Sequence, residues 1–194
     1  MRRLFSFQMV SLDGYFEGPN HDLSWHVVDQ EFNRFAVAQL RKIGTLLFGR
    51  LTYQLFEEFW PKAERDSTMS SEILEIARMI NSVDKIVFSK TLANVKEMEN
   101  WKNIKLVREI KAEEISHLKR ESERDVAIFG SNNLATQLLE TGLVDELRIM
   151  VNPVIVGTGN VLFKGLKNRV KLKLANTKMF KSGNVLHYYQ PVEK

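Results

Sequence analysis

The sequence predicts an α/β fold with a mixed, largely parallel sheet and antiparallel C-terminal strands. Three observations predict it. The apolar runs Leu46-Leu47-Phe48, Ile86-Val87-Phe88 and Val126-Ala127-Ile128-Phe129 do not alternate with polar residues, so both faces of those strands are expected to be covered by helices. Helical periodicity lies between these runs, giving the order β-α-β-α-β. Past residue 145 the chain turns to long strand-like stretches joined by a tight turn, the pattern of an antiparallel meander.

In chain order, Leu4–Val10 reads as the first strand, followed by a helix whose apolar stripe is Phe32, Phe35, Ala36, Leu40 and Ile43, with Gly44 placed to end it. Thr45–Phe48 is a buried strand that breaks at Gly49 into a short helix. The segment from Pro61 to Ser71 is polar and reads as a surface loop. A helix over Ser71 to Ile80, the strand Lys85–Phe88 and the strand Lys105–Val107 come next. A charged helix then covers Ala112 to Glu121, and a strand covers Val126–Phe129. The following helix starts near Asn132, buries Leu134, Leu138 and Leu139, and stops at Gly142. Asp145–Val156, Val170–Phe180 and Val185–Gln190 are the closing strands. Between the last two, Gly183 suits a turn position of positive φ. Val151, Val154 and Val156 could face the core or a partner subunit.

Composition narrows the function classes. The 194 residues suit one domain over 1–194, and 44% hydrophobic residues are enough for a core. There is no cysteine, which excludes disulfides, thiolate metal sites and cysteine nucleophiles. His21, His26, His117 and His187 lack ligand spacing, so no metal is expected. The net charge of +4 and pI near 9.2 come from dispersed basic residues, with no aromatic-and-basic pattern, so no nucleic-acid partner is expected. No stretch approaches the roughly 20 apolar residues of a spanning helix, and the N-terminal residues read as a strand rather than a signal peptide. The expectation is a cytoplasmic protein with no membrane partner.

Three strand ends carry candidate chemistry. At Phe129-Gly130-Ser131-Asn132-Asn133 a buried strand ends in glycine and a helix begins, presenting unpaired amides and the positive end of a dipole, which suit a phosphate. The alternative is a plain helix cap by Ser131 or Asn132. At Phe48-Gly49-Arg50-Leu51-Thr52-Tyr53 a similar turn offers the Arg50 guanidinium and the Thr52 hydroxyl; the alternative is a surface arginine beside a cap. Two such turns at the carboxyl ends of buried parallel strands fit the crevice where open α/β sheets bind ligands. Ser89 and Lys90, at a third strand end, supply a hydroxyl and a cation suited to a 2′-phosphate, or simply a solvated lysine. Walker A, GxGxxG, HExxH and GxSxG motifs are all missing.

The ordered segments Ser11-Leu12-Asp13-Gly14-Tyr15, Phe48-Gly49-Arg50-Leu51-Thr52-Tyr53, Phe129-Gly130-Ser131, Gly142-Leu143-Val144-Asp145-Glu146-Leu147 and Pro153-Val154-Ile155-Val156-Gly157-Thr158-Gly159 together resemble a known family. It is the family of the reductase domain of the bifunctional riboflavin-biosynthesis deaminase-reductase, whose stand-alone members are called dihydrofolate-reductase-like. The resemblance covers nearly the whole chain. It implies a dihydrofolate-reductase-like three-layer fold, NADPH as cofactor and a homodimer. It also implies hydride transfer to a small pterin- or ribosylaminopyrimidine-like substrate, such as 5-amino-6-(5-phosphoribosylamino)uracil.

By this resemblance Gly49, Arg50 and Thr52 hold cofactor phosphate, Gly130, Ser131, Asn132 and Asn133 cradle the pyrophosphate, and Ser89 and Lys90 meet the adenosine phosphate. Ser11, Asp13 and Gly14 lie in the loop over nicotinamide and substrate; the Ser11–Gly18 loop walls the ring pocket together with Trp25, or Trp25 belongs to the core. Two departures stand out. Ser131 replaces a second glycine of true dihydrofolate reductases, and Asn33 falls near the place of their catalytic acid. Asp13 and Asp29 are the catalytic candidates. Asp13 could serve as a proton relay or hold a turn, and Asp29 could be the missing acid or merely charge a helix start. The rival function is a non-catalytic nucleotide-binding protein of the same fold.

Overall fold

The computed structural model describes residues 2–192. The chain opens with β1 (Leu4–Ser11), a short β2 (Tyr15–Glu17), a 3-10 turn and α1 (Gln30–Leu40). There follow β3 (Ile43–Gly49), α2 (Arg50–Ala63), α3 (Ser71–Ser82), β4 (Asp84–Phe88), β5 (Ile104–Val107), α4 (Ala112–Glu121), β6 (Asp125–Phe129) and α5 (Asn132–Glu140). The last part is β7 (Glu146–Asn152), β8 (Asn160–Val161), β9 (Leu172–Met179) and β10 (Val185–Pro191).

Eight strands form one sheet in the order β5-β4-β3-β6-β1-β7-β10-β9. The strands from β5 to β7 run parallel, and β10 and β9 add antiparallel. β2 pairs with β8 as a separate ribbon.

The non-alternating runs have a direct cause. Leu46 and Phe48 of β3 point to one face, where they pack with Val37 and Leu40 of α1, Tyr53 of α2 and Ile76 of α3. Leu47 points to the other face and packs with Ile115 of α4 and Leu134 and Leu138 of α5. Successive side chains of a strand alternate in direction, so a sheet covered twice needs apolar residues at every position. The result is three layers, α/β/α.

Several expected boundaries shift. Ile43 and Gly44 open β3 instead of closing α1. The Lys42 carbonyl accepts the Asp125 amide at 2.9 Å, so strand pairing takes this segment. Gly44 allows a close strand approach, since an added Cβ would lie 3.1 Å from Arg124 Cβ. The helix after Gly49 is not short: α2 runs 14 residues and includes Pro61 in its last turn, which leaves residues 64–70 as the loop. β7 ends at Asn152, ahead of Pro153, so residues 153–159 form a loop rather than the end of a strand. Gly183 has φ +90° in the turn before β10, as expected.

Candidate active site

The carboxyl ends of β3, β4 and β6 lie side by side, because these strands are parallel neighbours in register. Gly49 ends β3, Ser89 follows β4, and Gly130 follows β6. The bends at Gly49 and Gly130 touch. A Cβ on Gly49 would collide with Ser131 Oγ, and one on Gly130 would sit 3.3 Å from Thr52 Cγ2. Gly130 and Ser131 both have left-handed backbones, φ +63° and +53°. Serine pays roughly 1–2 kcal/mol for that conformation, and strain of this kind concentrates at ligand clamps. The Gln8 side chain braces the bend, its Nε2 donating to the Gly130 carbonyl at 2.8 Å.

Both helices that leave these bends start open. α2 follows Gly49 and α5 follows Ser131, and neither has a side-chain cap on its first amides. The helix starts line one groove of about 860 Å³ with Ser89, Lys90, Asn132 and Asn133. Arg50, Lys90, Arg108 and Lys164 bring positive charge to it, against Glu17 and Glu109. Arg50 spans only to Gln54 Oε1, at 3.2 Å, and its side chain is exposed.

A second, mostly apolar cavity of about 650 Å³ adjoins the groove. Phe16, Glu17, Leu51, Thr52 and Ser131 line both. Phe7, Phe32, Phe35, Phe56, Trp60 and Phe129 furnish its rings. Polar groups are few. Glu17 accepts from Asn160 Nδ2 at 2.7 Å and pairs with His21 Nδ1 at 2.9 Å. His26 Nε2 and Asn33 Oδ1 are buried with no partner. Burial lowers the His26 pKa to about 4, against the opposing pull of Asp22.

The groove therefore gathers all nine expected cofactor residues except Gly130, which lines the adjoining ring cavity. Their side chains do different work. Ser89 Oγ is occupied by the amides of Thr91 and Leu92. Asn132 Oδ1 accepts the Phe163 amide at 2.6 Å and so ties the β8–β9 loop to α5. Asn133 Oδ1 accepts from Gln137.

The expected substrate and catalytic residues are placed otherwise. Ser11, Asp13, Gly14, Trp25 and Asp29 line neither cavity. Asp13 accepts the amides of Val156 and Gly157 at 3.1 and 2.8 Å. The Ser11 hydroxyl first, then these amides, hold its carboxyl below the usual range despite some desolvation. It is thus an ionised fastener for the loop after β7. Asp29 caps α1 by accepting the Phe32 amide at 2.8 Å. Trp25 Nε1 donates to the Asp22 carbonyl, and its ring stands edge-on to His26. Ser11 Oγ accepts the Tyr15 amide, and Gly14, at φ +88°, turns the chain.

The sequence reading named the Ser11–Gly18 loop without singling out its Phe16 and Glu17, and it missed His21, Arg108, Asn160 and Lys164. Arg108 follows the end of β5, so the strand-end rule that found Arg50 would have found it. Asn160 and Lys164 arrive from a distant loop with no local signal.

Comparison with known proteins decides the family. The sequence profile of the RibD C-terminal domain matches residues 2–186. This chain belongs to the RibD C-terminal domain family. YyaP of Bacillus subtilis (strain 168), itself uncharacterized, is 33% identical over 190 residues, covering 97% of this chain and 94% of YyaP. Among solved structures, the diaminohydroxyphosphoribosylaminopyrimidine deaminase/5-amino-6-(5-phosphoribosylamino)uracil reductase of Thermotoga maritima superposes with TM-score 0.65 at 18% identity. The match covers 98% of this chain and 57% of that bifunctional one. Dihydrofolate reductase of Enterococcus faecalis, complexed with NADP(H), superposes with TM-score 0.62 at 13% identity, covering 98% and 97%. This RibD C-terminal domain thus has a reductase-type, dihydrofolate-reductase-like fold.

Proposed function

We propose that this protein is an NADPH-dependent reductase that transfers hydride to a small pterin- or ribosylaminopyrimidine-like ring. One observation carries the reading: the Gly49 and Gly130-Ser131 bends interlock at the head of a cationic groove that opens into an aromatic cavity. The residues present fit a dinucleotide. Side chains at Gly49 and Gly130 would push apart the two bends, which pack on each other through Ser131 and Thr52, and two uncapped helix starts face the groove where a diphosphate would lie.

NADPH supplies the hydride when bound. Arg50 and the first amides of α2 and α5 hold its diphosphate. Lys90 serves the 2′-phosphate, while Ser89 keeps the turn. Phe16 and Thr52 stand where groove and cavity meet and set the approach of the two ligands. The aromatic walls exclude water, which strengthens every charge contact inside. In this reading the proton is handled by the Glu17–His21 pair at that junction. Asp13 and Asp29 are positioning residues, because amides occupy both carboxylate oxygens of Asp13 and Oδ1 of Asp29. The chain acts as a homodimer through β9.

Titration of NADPH, followed by its oxidation with dihydropterins and ribosylaminouracils, tests the proposal. Arg50→Ala is expected to weaken NADPH binding by roughly 1.5–3 kcal/mol, the worth of a charge-assisted pair. An unchanged dissociation constant removes the Arg50 assignment. Binding without oxidation of any ring compound leaves a nucleotide-binding protein that lacks the chemistry.

A further inference from the structure

The two halves of the site differ in charge. The groove is lined by Arg50, Lys90, Arg108 and Lys164. Among the described residues that line the ring cavity there is no lysine or arginine, and the carboxylates are Glu17 and Glu58. The basic groups among those residues are His21 and His26. His21 is already committed to Glu17, and burial keeps His26 uncharged at neutral pH. A phosphate or carboxylate entering this cavity would lose water and meet no lysine or arginine in its lining, with Glu58 and the His21-paired Glu17 nearby. Desolvating an anion without a cationic partner is costly, and like charges at close range add to that cost.

The cavity does offer neutral polar contacts. The Asn33 Oδ1 and His26 Nε2 atoms are buried without partners on residues that line it. A buried polar atom left unpaired forgoes a hydrogen bond, which a ligand N–H or N acceptor recovers once the side chain turns to it. Where a carboxylate at Asn33 would select a protonated ring edge, the amide donates and accepts without a preference for charge.

We infer that the substrate of this cavity is a neutral or cationic planar heterocycle bearing no phosphate or carboxylate. It is not a phosphoribosylated pyrimidine such as the one named for the Thermotoga maritima reductase. This rests on the reductase reading in one respect, that the aromatic cavity is the substrate's half of the site. The phosphates the protein binds belong to the groove alone.

The experiment compares matched pairs by calorimetry on protein saturated with NADP+, which fills the groove against the anionic probe and has no hydride to transfer. One pair is 5-amino-6-(ribosylamino)uracil and its 5′-phosphate. The other is 7,8-dihydro-6-hydroxymethylpterin and its phosphate monoester. The uncharged member of each pair is expected to bind at least about tenfold more tightly, the scale of one poorly screened like-charge contact. Glu58 is exposed on α2, so Glu58→Lys is compatible with folding. It is expected to raise affinity for the 5′-phosphate by about tenfold and leave NADPH binding unchanged. Equal or tighter binding of the anionic members by the unaltered protein overturns the inference, as does failure of both uncharged probes to bind. Failure of the reductase reading shows separately, as missing NADPH binding in the preceding titration. The pairs are then compared on the free protein, with Arg50→Ala to remove binding in the groove.

Discussion

His26 shows how a single residue ties the site to stability. Its Nε2 is buried and unpaired, and burial holds its pKa to about 4, while an unfolded-chain histidine titrates near the ordinary 6.5. Above pH 6.5 both states are neutral and the group contributes nothing to the pH dependence. As pH falls from 6.5 to 4 the unfolded chain takes up a proton that the native state refuses, so stability is lost across that window. The loss should approach about 3 kcal/mol by pH 4, an upper bound because the ring is only partly enclosed. Urea denaturation at pH 7 and at pH 4.5 checks it. His26→Phe should show a smaller loss between the two, and an equal loss in both proteins would show that His26 is not the source. The surface carboxylates Asp13 and Asp66, whose pKa values are lowered, act at lower pH and are common to both proteins; Asp22, lowered mainly by Ser24 and in part by His26, also acts below this window. None of this was legible at His26 itself, which sits in a polar, unpatterned stretch. Arg50 and Lys90 were legible because a strand-end rule needs only local sequence. Asn33 was found by counting from Gly49, but its unmet hydrogen bond appears only once the fold closes around it.

At the level of elements, the ribbon of β2 and β8 sets the lining where the groove and the ring cavity meet. β2 supplies Phe16 and Glu17 to the junction of groove and cavity, and its place is fixed by Gly159, at φ +139° just before β8. An added Cβ there would run into the Glu17 carbonyl and lie 2.9 Å from Gly18 Cα, both backbone atoms that cannot rotate away. Gly159→Ala therefore has to move β2. The eight-stranded sheet does not use these residues, so the fold should survive with a loss of roughly 1–2 kcal/mol. Under the reductase proposal kcat with a reducible ring compound should fall at least about tenfold while the NADPH dissociation constant changes little. Glu17→Gln should reproduce the fall in kcat without the stability loss. If both variants keep full kcat, neither the ribbon nor Glu17 takes part in the reaction. The sheet strands were readable because double burial forces unbroken apolar runs. β2 and β8 were not, because a ribbon of three and two residues, bound across 143 positions by Asn160 and Glu17, leaves no periodic trace.

The whole molecule leaves one side of its sheet uncovered. β9 is the edge strand, and all its residues except Lys178 are exposed. Leu172, Leu174 and Met179 stand 40, 51 and 77% exposed there, and Ile155 is 72% exposed in the loop after β7. An edge strand with free amides and carbonyls is a template for pairing, and proteins that remain monomeric usually blunt it with charge. Lys171 and Lys173 flank the apolar residues without covering them, which limits open-ended addition yet permits a closed pair. Two copies meeting about a two-fold axis would bury this patch against itself and leave the site on the far strands accessible. We therefore expect sedimentation equilibrium to give a species of about twice the 22.5 kDa chain mass. The double change Leu174→Glu with Met179→Glu should convert it to a monomer, because four carboxylates would then face one another across the axis. The substitutions lie far from Gly49 and Gly130 in the sheet order, so NADPH binding by that monomer should be retained. A chain that sediments as a monomer before any substitution would mean that the exposed strand serves no self-association.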